Sequence, residues 1–355
     1  MELKALGYSG RITEMIRPEM WEAYTLARVI IEHKERYTVQ SVEGTYTAEI
    51  TGNLRFSANS RRDFPAVGDW VKIMPMDEST AIILEVFPRT SILERQTVGK
   101  HGEAQLIATN IDVAFIVQSV GHDYNLKRIE RYLTICHASH ITPVIILSKI
   151  DLISEEEAMQ LEEQIKARVK NIEVLRLSNE THKGFEQLQS LMKPYKTYCF
   201  LGSSGVGKSS IVNLLSGKEV LKTSAISSST SKGRHTTSHR ELMILPNKSI
   251  VIDTPGMREI GMTNQAEGLA MTYDEIETLA KDCKFNDCTH THEVGCSVLE
   301  AVKAGEILEE AYENYQKLKR EQSHFSSTVR EKRQKSKEQG KLYKAIQAEK
   351  RKRKY

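Results

Sequence analysis

Tyr198-Cys199-Phe200-Leu201-Gly202-Ser203-Ser204-Gly205-Val206-Gly207-Lys208-Ser209-Ser210 decides how the rest of the chain is read. An apolar run of strand length enters a glycine-rich turn, and Ser210–Leu215 continues from it with helical character. Gly202 to Ser209 matches the phosphate-loop pattern G-x-x-x-x-G-K-[ST] in full. Gly202, Gly205 and Gly207 let backbone N–H groups wrap an anion, and the helix N-terminus adds partial positive charge. In such a loop Lys208 reaches the β and γ phosphates of a nucleotide, and the Ser209 hydroxyl ligates Mg2+. Ser203, Ser204, Val206 and Ser210 complete the phosphate-binding set. The flanking strand and helix argue against a chance glycine-rich turn.

Upstream, Ser148-Lys149-Ile150-Asp151 follows the apolar run Val144–Leu147, where a base-reading loop belongs. Asp151 would accept two hydrogen bonds from the N–H groups of guanine, and the Lys149 stem would lie over the ring. Ser178, at the end of the next apolar run, could back the base from a second loop. The tetrapeptide alone is a weak signal, since a helix cap leading into Glu155–Glu157 has the same residues.

Downstream, Ile250-Val251-Ile252 runs into Asp253-Thr254-Pro255-Gly256. Asp253 ends a strand where a carboxylate can hold magnesium or its water, and Gly256 lets a backbone N–H approach the γ phosphate. Between these motifs, Thr223–Ser238 is rich in Ser, Thr and Gly and contains Gly233-Arg234-His235-Thr236-Thr237. Such a stretch can order around nucleotide, with Thr236 or Thr237 completing the magnesium shell; a plain linker is the alternative. Ordinary small GTPases place Gln just after the Asp-x-x-Gly turn, but Met257 stands here and cannot orient water. His235 is the candidate catalytic residue, with a capping or solvent-facing histidine as the alternative.

The 355-residue length implies two or three domains, and 39% hydrophobic with 27% charged residues supplies ample core. No apolar run reaches the roughly 18 residues of a membrane span, and Glu2, Lys4, Arg11, Glu14 and Arg17 interrupt any signal-peptide apolar region. A cytoplasmic protein without membrane contact is expected. Residues 28–95 show four strand-like segments, Arg28–Tyr37, Thr45–Leu54, Asp69–Met74 and Ala81–Val86, with turns at Gly44, Gly52-Asn53 and Gly68-Asp69. That spacing suggests a small barrel of OB-like or SH3-like kind. From about residue 105, strands Val113–Val117, Val144–Leu147, Val174–Leu177, Tyr198–Leu201 and Ile250–Ile252 alternate with helical patterns, including Leu126, Ile129, Leu133 and Cys136. Alternation of this kind implies a parallel sheet covered on both faces.

Three of the five cysteines fall within residues 283–296, as Cys283-x4-Cys288-x-His290-x5-Cys296. Three thiolates and an imidazole make the closed tetrahedral shell of one structural zinc, with His292 as the second candidate for the nitrogen ligand. The odd count and clustering argue against a disulfide framework and for a reducing compartment. Charge is equally uneven. Residues 317–355 hold 15 Lys and Arg against 4 Glu, so this tail is +11 and, with +3 for the whole chain, the remainder is −8. A basic tail of this kind can release counterions from nucleic acid, or be a solvated helix.

The base-reading loop precedes the phosphate loop, the reverse of the ordinary order. With Gly-Ser-Ser-Gly-Val-Gly-Lys-Ser-Ser, Gly-Arg-His-Thr-Thr, Asp-Thr-Pro-Gly and the cysteine knot, the chain resembles the circularly permuted GTPases of the RsgA (YjeQ/YloQ) family over roughly residues 28–320. The resemblance implies an N-terminal OB-like β-barrel, a central α/β P-loop GTPase domain in permuted order, and a C-terminal helical zinc-binding domain with a basic tail. The corresponding ranges are 1–100, 101–265, 266–325 and 326–355. It implies a GTP hydrolase acting late in maturation of the small ribosomal subunit, bound to its rRNA, with GTP and GDP as ligands and a monomeric state. The family pattern usually has Asn or Thr where this chain has Ser148, which leaves less amide bonding to the nucleotide. Two rivals are an ATP-using P-loop enzyme, disfavoured by Asp151, and a zinc RNA-binding protein with a vestigial nucleotide site, disfavoured by Lys208, Ser209 and Asp253.

Overall fold

A computed structural model describes residues 2–33, 36–96, 104–218, 240–253 and 265–326. The N-terminal segment forms a helical turn at Leu3–Leu6, helix α1 (Arg11–Met15) and a second turn at Pro18–Met20. Leu6, Ile12 and Ile16 bury themselves against Trp70 and Phe87. Five strands follow: β1 (Thr25–Glu32), β2 (Tyr37–Ser41), β3 (Thr45–Ile50), β4 (Trp70–Pro75) and β5 (Thr80–Val86), with helix α2 (Gly52–Ser57) after β3. Their order is β1-β2-β3-β5-β4, and β4 pairs back to β1. The barrel is therefore closed, and its one parallel pairing, β3 with β5, is the crossing a five-stranded Greek-key barrel of OB type requires. Val29, Val39, Ala48, Val71, Ile73 and Ile83 fill its interior, as the period of two demands.

Three sequence expectations shift here. Arg28–Tyr37 is two strands, since β1 ends at Glu32 and β2 opens at Tyr37. Thr45–Leu54 ends as a strand at Ile50. Gly52-Asn53 opens α2, because the Thr51 hydroxyl accepts from the Leu54 N–H at 3.1 Å and caps a helix there.

A hairpin of β6 (Ile92–Gln96) and β7 (Ala104–Thr109) leads into the central sheet. Its strands are β8 (Val113–Ser119), β9 (Thr142–Ser148), β10 (Glu173–Leu177), β11 (Thr197–Leu201), β12 (Glu241–Ile244) and β13 (Ile250–Asp253). The order is β10-β9-β8-β11-β13-β12, with β12 alone antiparallel. Helices α3 (Leu126–Ala138), α4 (Glu155–Arg168), α5 (Phe185–Leu191) and α6 (Lys208–Ser216) lie between the strands. Ile116, Ile145, Leu147 and Cys199 pack with Ile129 and Leu133 of α3 and Ile165 of α4. Phe115, Val117, Ile146 and Phe200 pack with Leu188 of α5 and Ile211 of α6. Both faces are covered, which is why these strands read as unbroken apolar runs.

The C-terminal part is helical: α7 (Ala266–Thr272), α8 (Asp274–Ala280), α9 (Ser297–Ala304) and α10 (Glu309–Ser326). A buried ion pair joins Arg168 Nε to Glu130 Oε1 at 2.6 Å, and Asn314 Nδ2 of α10 donates to Glu130 Oε2 at 2.6 Å. The same Asn314 amide donates to the Tyr273 hydroxyl at 3.0 Å. Helices α4, α3, α7–α8 and α10 thus meet at one polar knot.

Barrel and sheet meet at Arg28, which is 1% exposed. Its Nη1 donates to the Leu6 carbonyl at 2.6 Å and its Nε to the Gly68 carbonyl at 3.2 Å. Its Nη2 donates to the Asn110 carbonyl at 3.3 Å and Thr197 Oγ1 at 3.0 Å. Burial lowers the guanidinium to about 10, against the opposing pull of Asp112 and Asp69. It stays charged at neutral pH while joining the N-terminal turn, the barrel, the end of the hairpin and β11. Arg28→Met should lower stability by about 3 kcal/mol or more, because several buried acceptors lose a charged donor at once. Urea unfolding checks this, with loss of barrel and sheet in one transition in the native protein.

Candidate functional site

Five parallel strands end at the same edge of the sheet, and the nucleotide motifs leave from four of them. Ser148 of β9 stands level with Ser119 of β8 and Leu177 of β10, so the loops begin side by side. Strands β9 and β11 are separated by β8 alone, which sets the base-reading and phosphate loops about 10 Å apart.

In the phosphate loop, Gly202 has φ 149° and lies so close to β8 that a Cβ would stand 2.3 Å from the Val117 carbonyl oxygen. No larger residue fits there. Gly207, at φ 99°, is the left-handed residue from which α6 starts, and a Cβ on it would strike Asn179 Nδ2 at 2.8 Å. Lys208 Nζ donates to the carbonyls of Gly202 at 2.8 Å and Ser203 at 2.5 Å, crossing the loop it serves. Ser204, Ser209 and Ser210 are half-buried, Gly205 is exposed and Val206 is buried beneath the turn.

The base-reading loop is tied to this loop. The buried Ser148 hydroxyl donates to the Val206 carbonyl at 2.8 Å, so the short side chain still braces the phosphate loop. Lys149 adopts the left-handed conformation, φ 61°, and opens the helical turn Ile150–Leu152 that carries Asp151 outward. The Asp151 carboxylate is exposed, and its Oδ1 accepts from the buried Ser178 hydroxyl at 2.6 Å. Ser178 in turn accepts the Thr181 N–H at 3.1 Å. Asp151 therefore does not serve as the cap of α4; Ser154 does, with Glu157 completing a capping box. A carboxylate held by one oxygen and open to solvent can receive paired N–H donors from a base.

Asp253 ends β13 at the same edge, opposite Glu241 of β12. His235, Thr236, Thr237 and Gly256 lie outside the described residues. Sequence reasoning missed three residues that touch the site. Asn179 Nδ2 donates to the Gly207 carbonyl at 3.3 Å, and Asp123 and Arg128 both contact Ser203. Only adjacency to Ser178 could have pointed to Asn179, and no motif marks the other two.

The metal set forms a separate centre. Ligand atoms of Cys283, Cys288, His290 and Cys296 all lie within 4.8 Å of one another. Cys283 Sγ is 3.8 Å from Cys296 Sγ, and His290 Nδ1 is 3.5 and 3.4 Å from these two sulfurs. Zinc bonds of about 2.3 Å to sulfur and about 2.0 Å to nitrogen give tetrahedral edges of roughly 3.5–3.8 Å, so the donor set fits that ion. The His290 carbonyl accepts from Tyr312 and Gln316 of α10, which fixes the turn. Burial first, then nearby Lys319, lowers the His290 pKa and favours the neutral imidazole a metal needs. His292 is exposed and faces Thr291 Oγ1 at 2.8 Å, away from the sulfurs. The nitrogen of the cluster is His290.

A parallel sheet with a phosphate loop, an exposed carboxylate on the neighbouring loop and a strand-end Asp at one edge defines a P-loop nucleotide-binding protein, here with the Ser148–Asp151 loop before the phosphate loop in the chain. The family model described as RsgA GTPase matches residues 86–263. A small ribosomal subunit biogenesis GTPase RsgA 1 of Bacteroides thetaiotaomicron is 37% identical, covering 98% of this chain and 97% of its own. One from Listeria innocua is 43% identical over 84% of each chain. YjeQ from Thermotoga maritima, 24% identical, has the same fold with TM-score 0.61, covering 86% of this chain and 99% of its own. YloQ, described as a circularly permuted GTPase, shares the fold at 23% identity and TM-score 0.61 over 88% and 100%. The chain belongs to the RsgA GTPase family.

The metal reading has a direct check. Purified protein should carry about one zinc per chain by elemental analysis, and Cys288→Ser should lose it and melt α8–α10 at lower temperature. The central sheet should stay folded, since none of these four residues belongs to it. A second check concerns Ser178→Ala, which frees the Asp151 carboxylate. GDP binding should weaken at least about tenfold, the usual worth of one hydrogen bond to a charged group, with the fold unchanged by circular dichroism.

Proposed function

We propose that the chain binds GTP across the carboxyl edge of its sheet, hydrolyses it, and acts as a late maturation factor of the small ribosomal subunit. The observation that carries the nucleotide reading is the Ser178–Asp151 contact at the edge shared with the phosphate loop. A base carrying two adjacent N–H donors suits that carboxylate, and adenine has no such pair. The ribosomal part rests on the relatives, which are named for small-subunit biogenesis.

In this reading Gly202–Ser210 cradle the phosphates, and Lys208 exchanges its carbonyl partners for the β and γ phosphates. Ser209, Asp253 and Thr236 would hold Mg2+, which neutralises phosphate charge when bound. Lys149 and Asp151 read guanine, Gly256 approaches the γ phosphate, and His235 orients the attacking water. Cys283, Cys288, His290 and Cys296 would hold one zinc with four protein ligands, a set that would organise the C-terminal helices and not serve hydrolysis. The barrel, the zinc domain and the basic residues 326–355 are the surfaces for rRNA, engaged by a monomer in the cytoplasm. Among the described residues no helix is long and apolar enough to cross a membrane.

Hydrolysis measured with and without purified small subunits tests the proposal. Turnover should be slow alone and rise on addition of subunits; no rise would overturn the ribosomal role. His235→Ala should keep GTP affinity and lower the stimulated rate by on the order of 10- to 1000-fold, the range for one positioned catalytic group. Deleting residues 326–355 should flatten the salt dependence of subunit binding, because fewer counterions are released. An unchanged slope would remove the tail from the RNA contact.

A further inference from the structure

Asp123, Arg128 and Ser203 close a triangle beside the phosphate loop. Ser203 Oγ donates to Asp123 Oδ2 at 2.6 Å, and Arg128 Nη1 donates to Ser203 Oγ at 2.9 Å and Asp123 Oδ1 at 2.8 Å. Buried Gln118 pins the same corner, its Nε2 donating to the Asp123 carbonyl at 2.6 Å. The carbonyl of Ser203 accepts from the Lys208 ammonium. The triangle therefore sets the peptide to which the phosphate-binding lysine is tied.

Arg128 sits in the first turn of α3, and the neighbouring positions of that helix grip α10. Lys127 Nζ meets Glu313 Oε2 at 3.2 Å, and Arg131 pairs with Glu321 through two bonds of 2.6 and 2.8 Å. Asn314 Nδ2 reaches the Lys127 carbonyl at 3.3 Å and Glu130 Oε2 at 2.6 Å. Residues 127, 130 and 131 share a helix face, as their spacing of three and four requires. Arg128, one position round, turns to the phosphate loop. One short helix thus holds the loop at its start and the C-terminal domain over its next turn.

We propose that Arg128 is a positioning residue for the phosphate loop, and that α3 couples the docking of α10 to nucleotide affinity. The inference rests on the nucleotide reading above and adds a route for regulation. Helix α10 leads in sequence into the basic residues 327–355, so a polyanion gripping that stretch pulls on the far end of the same strut. By linkage, nucleotide then changes the hold of α10 by the same factor.

Release and affinity of a fluorescent GDP, measured on full-length protein, test both parts. Arg128→Ala should weaken GDP binding on the order of tenfold, the scale of a charged hydrogen-bond set. Arg128→Lys should recover part of it, since one ammonium can reach Asp123 or Ser203 but cannot hold both in place. Asp123→Asn, which keeps the shape, should act in the same direction and stands in if the alanine variant folds poorly. Glu321→Ala touches α3 and not the phosphate loop, yet it should speed GDP release about fivefold. In the Arg128→Ala background Glu321→Ala should add less than about twofold, the signature of a shared path. Lys166→Ala, which breaks a surface pair on α4, should leave release unchanged. Arg128→Ala and Asp123→Asn within about twofold of the native affinity would overturn the positioning role. A silent Glu321→Ala, or one whose effect multiplies fully with Arg128→Ala, would overturn the coupling. Failure of the nucleotide reading would appear in the native protein, as absence of GDP binding.

Discussion

The parallel alignment of β10, β9, β8, β11 and β13 is the constraint on which the rest depends. Strands that run the same way deliver every connecting loop to one edge, so the site is indifferent to the order in which the chain visits them. That is why a base-reading loop can precede the phosphate loop and still meet it. The meeting is secured by hydroxyls and an amide that cross between loops: Ser148 to Val206, Ser178 to Asp151, and Asn179 to Gly207. The first two are short, at 2.8 and 2.6 Å, and all three start at or within two residues of a strand end, so little conformational freedom remains to be lost on binding.

Permutation has a structural consequence beyond chain order. The strand that ends at Asp253 is followed by α7–α10, and those helices return to α3, whose start touches the phosphate loop. The C-terminal domain is therefore attached twice to the nucleotide site, once through the chain and once through packing. The Cys283–Cys288–His290–Cys296 cluster and the Glu130–Arg168–Asn314 knot tie those helices together. Arg28 does the same for the barrel, holding four segments with one guanidinium.

Much of this was legible in the sequence, because the informative signals are local. The phosphate loop, the apolar strands and the spacing of Cys283, Cys288, His290 and Cys296 each declare themselves within twenty residues. The barrel was legible as strands, but its closure depends on β4 returning to β1, a pairing no local pattern encodes. Strand β12 and the hairpin β6–β7 escaped notice because they are short and only partly apolar. Helix α2 escaped because one Thr51 hydroxyl outweighs the turn signal of Gly52-Asn53. The triangle of Asp123, Arg128 and Ser203 joins positions some 80 residues apart, so it exists only after folding. His290 and His292 were equivalent in kind until backbone geometry turned one inward.

The central claim is that this edge reads guanine. Isothermal titration of the native protein with GDP and ADP in the presence of magnesium addresses it most directly. The account predicts binding of GDP at least about tenfold tighter, a difference of about 1.4 kcal/mol, carried by the Asp151 carboxylate. Equal affinity for the two nucleotides would contradict it.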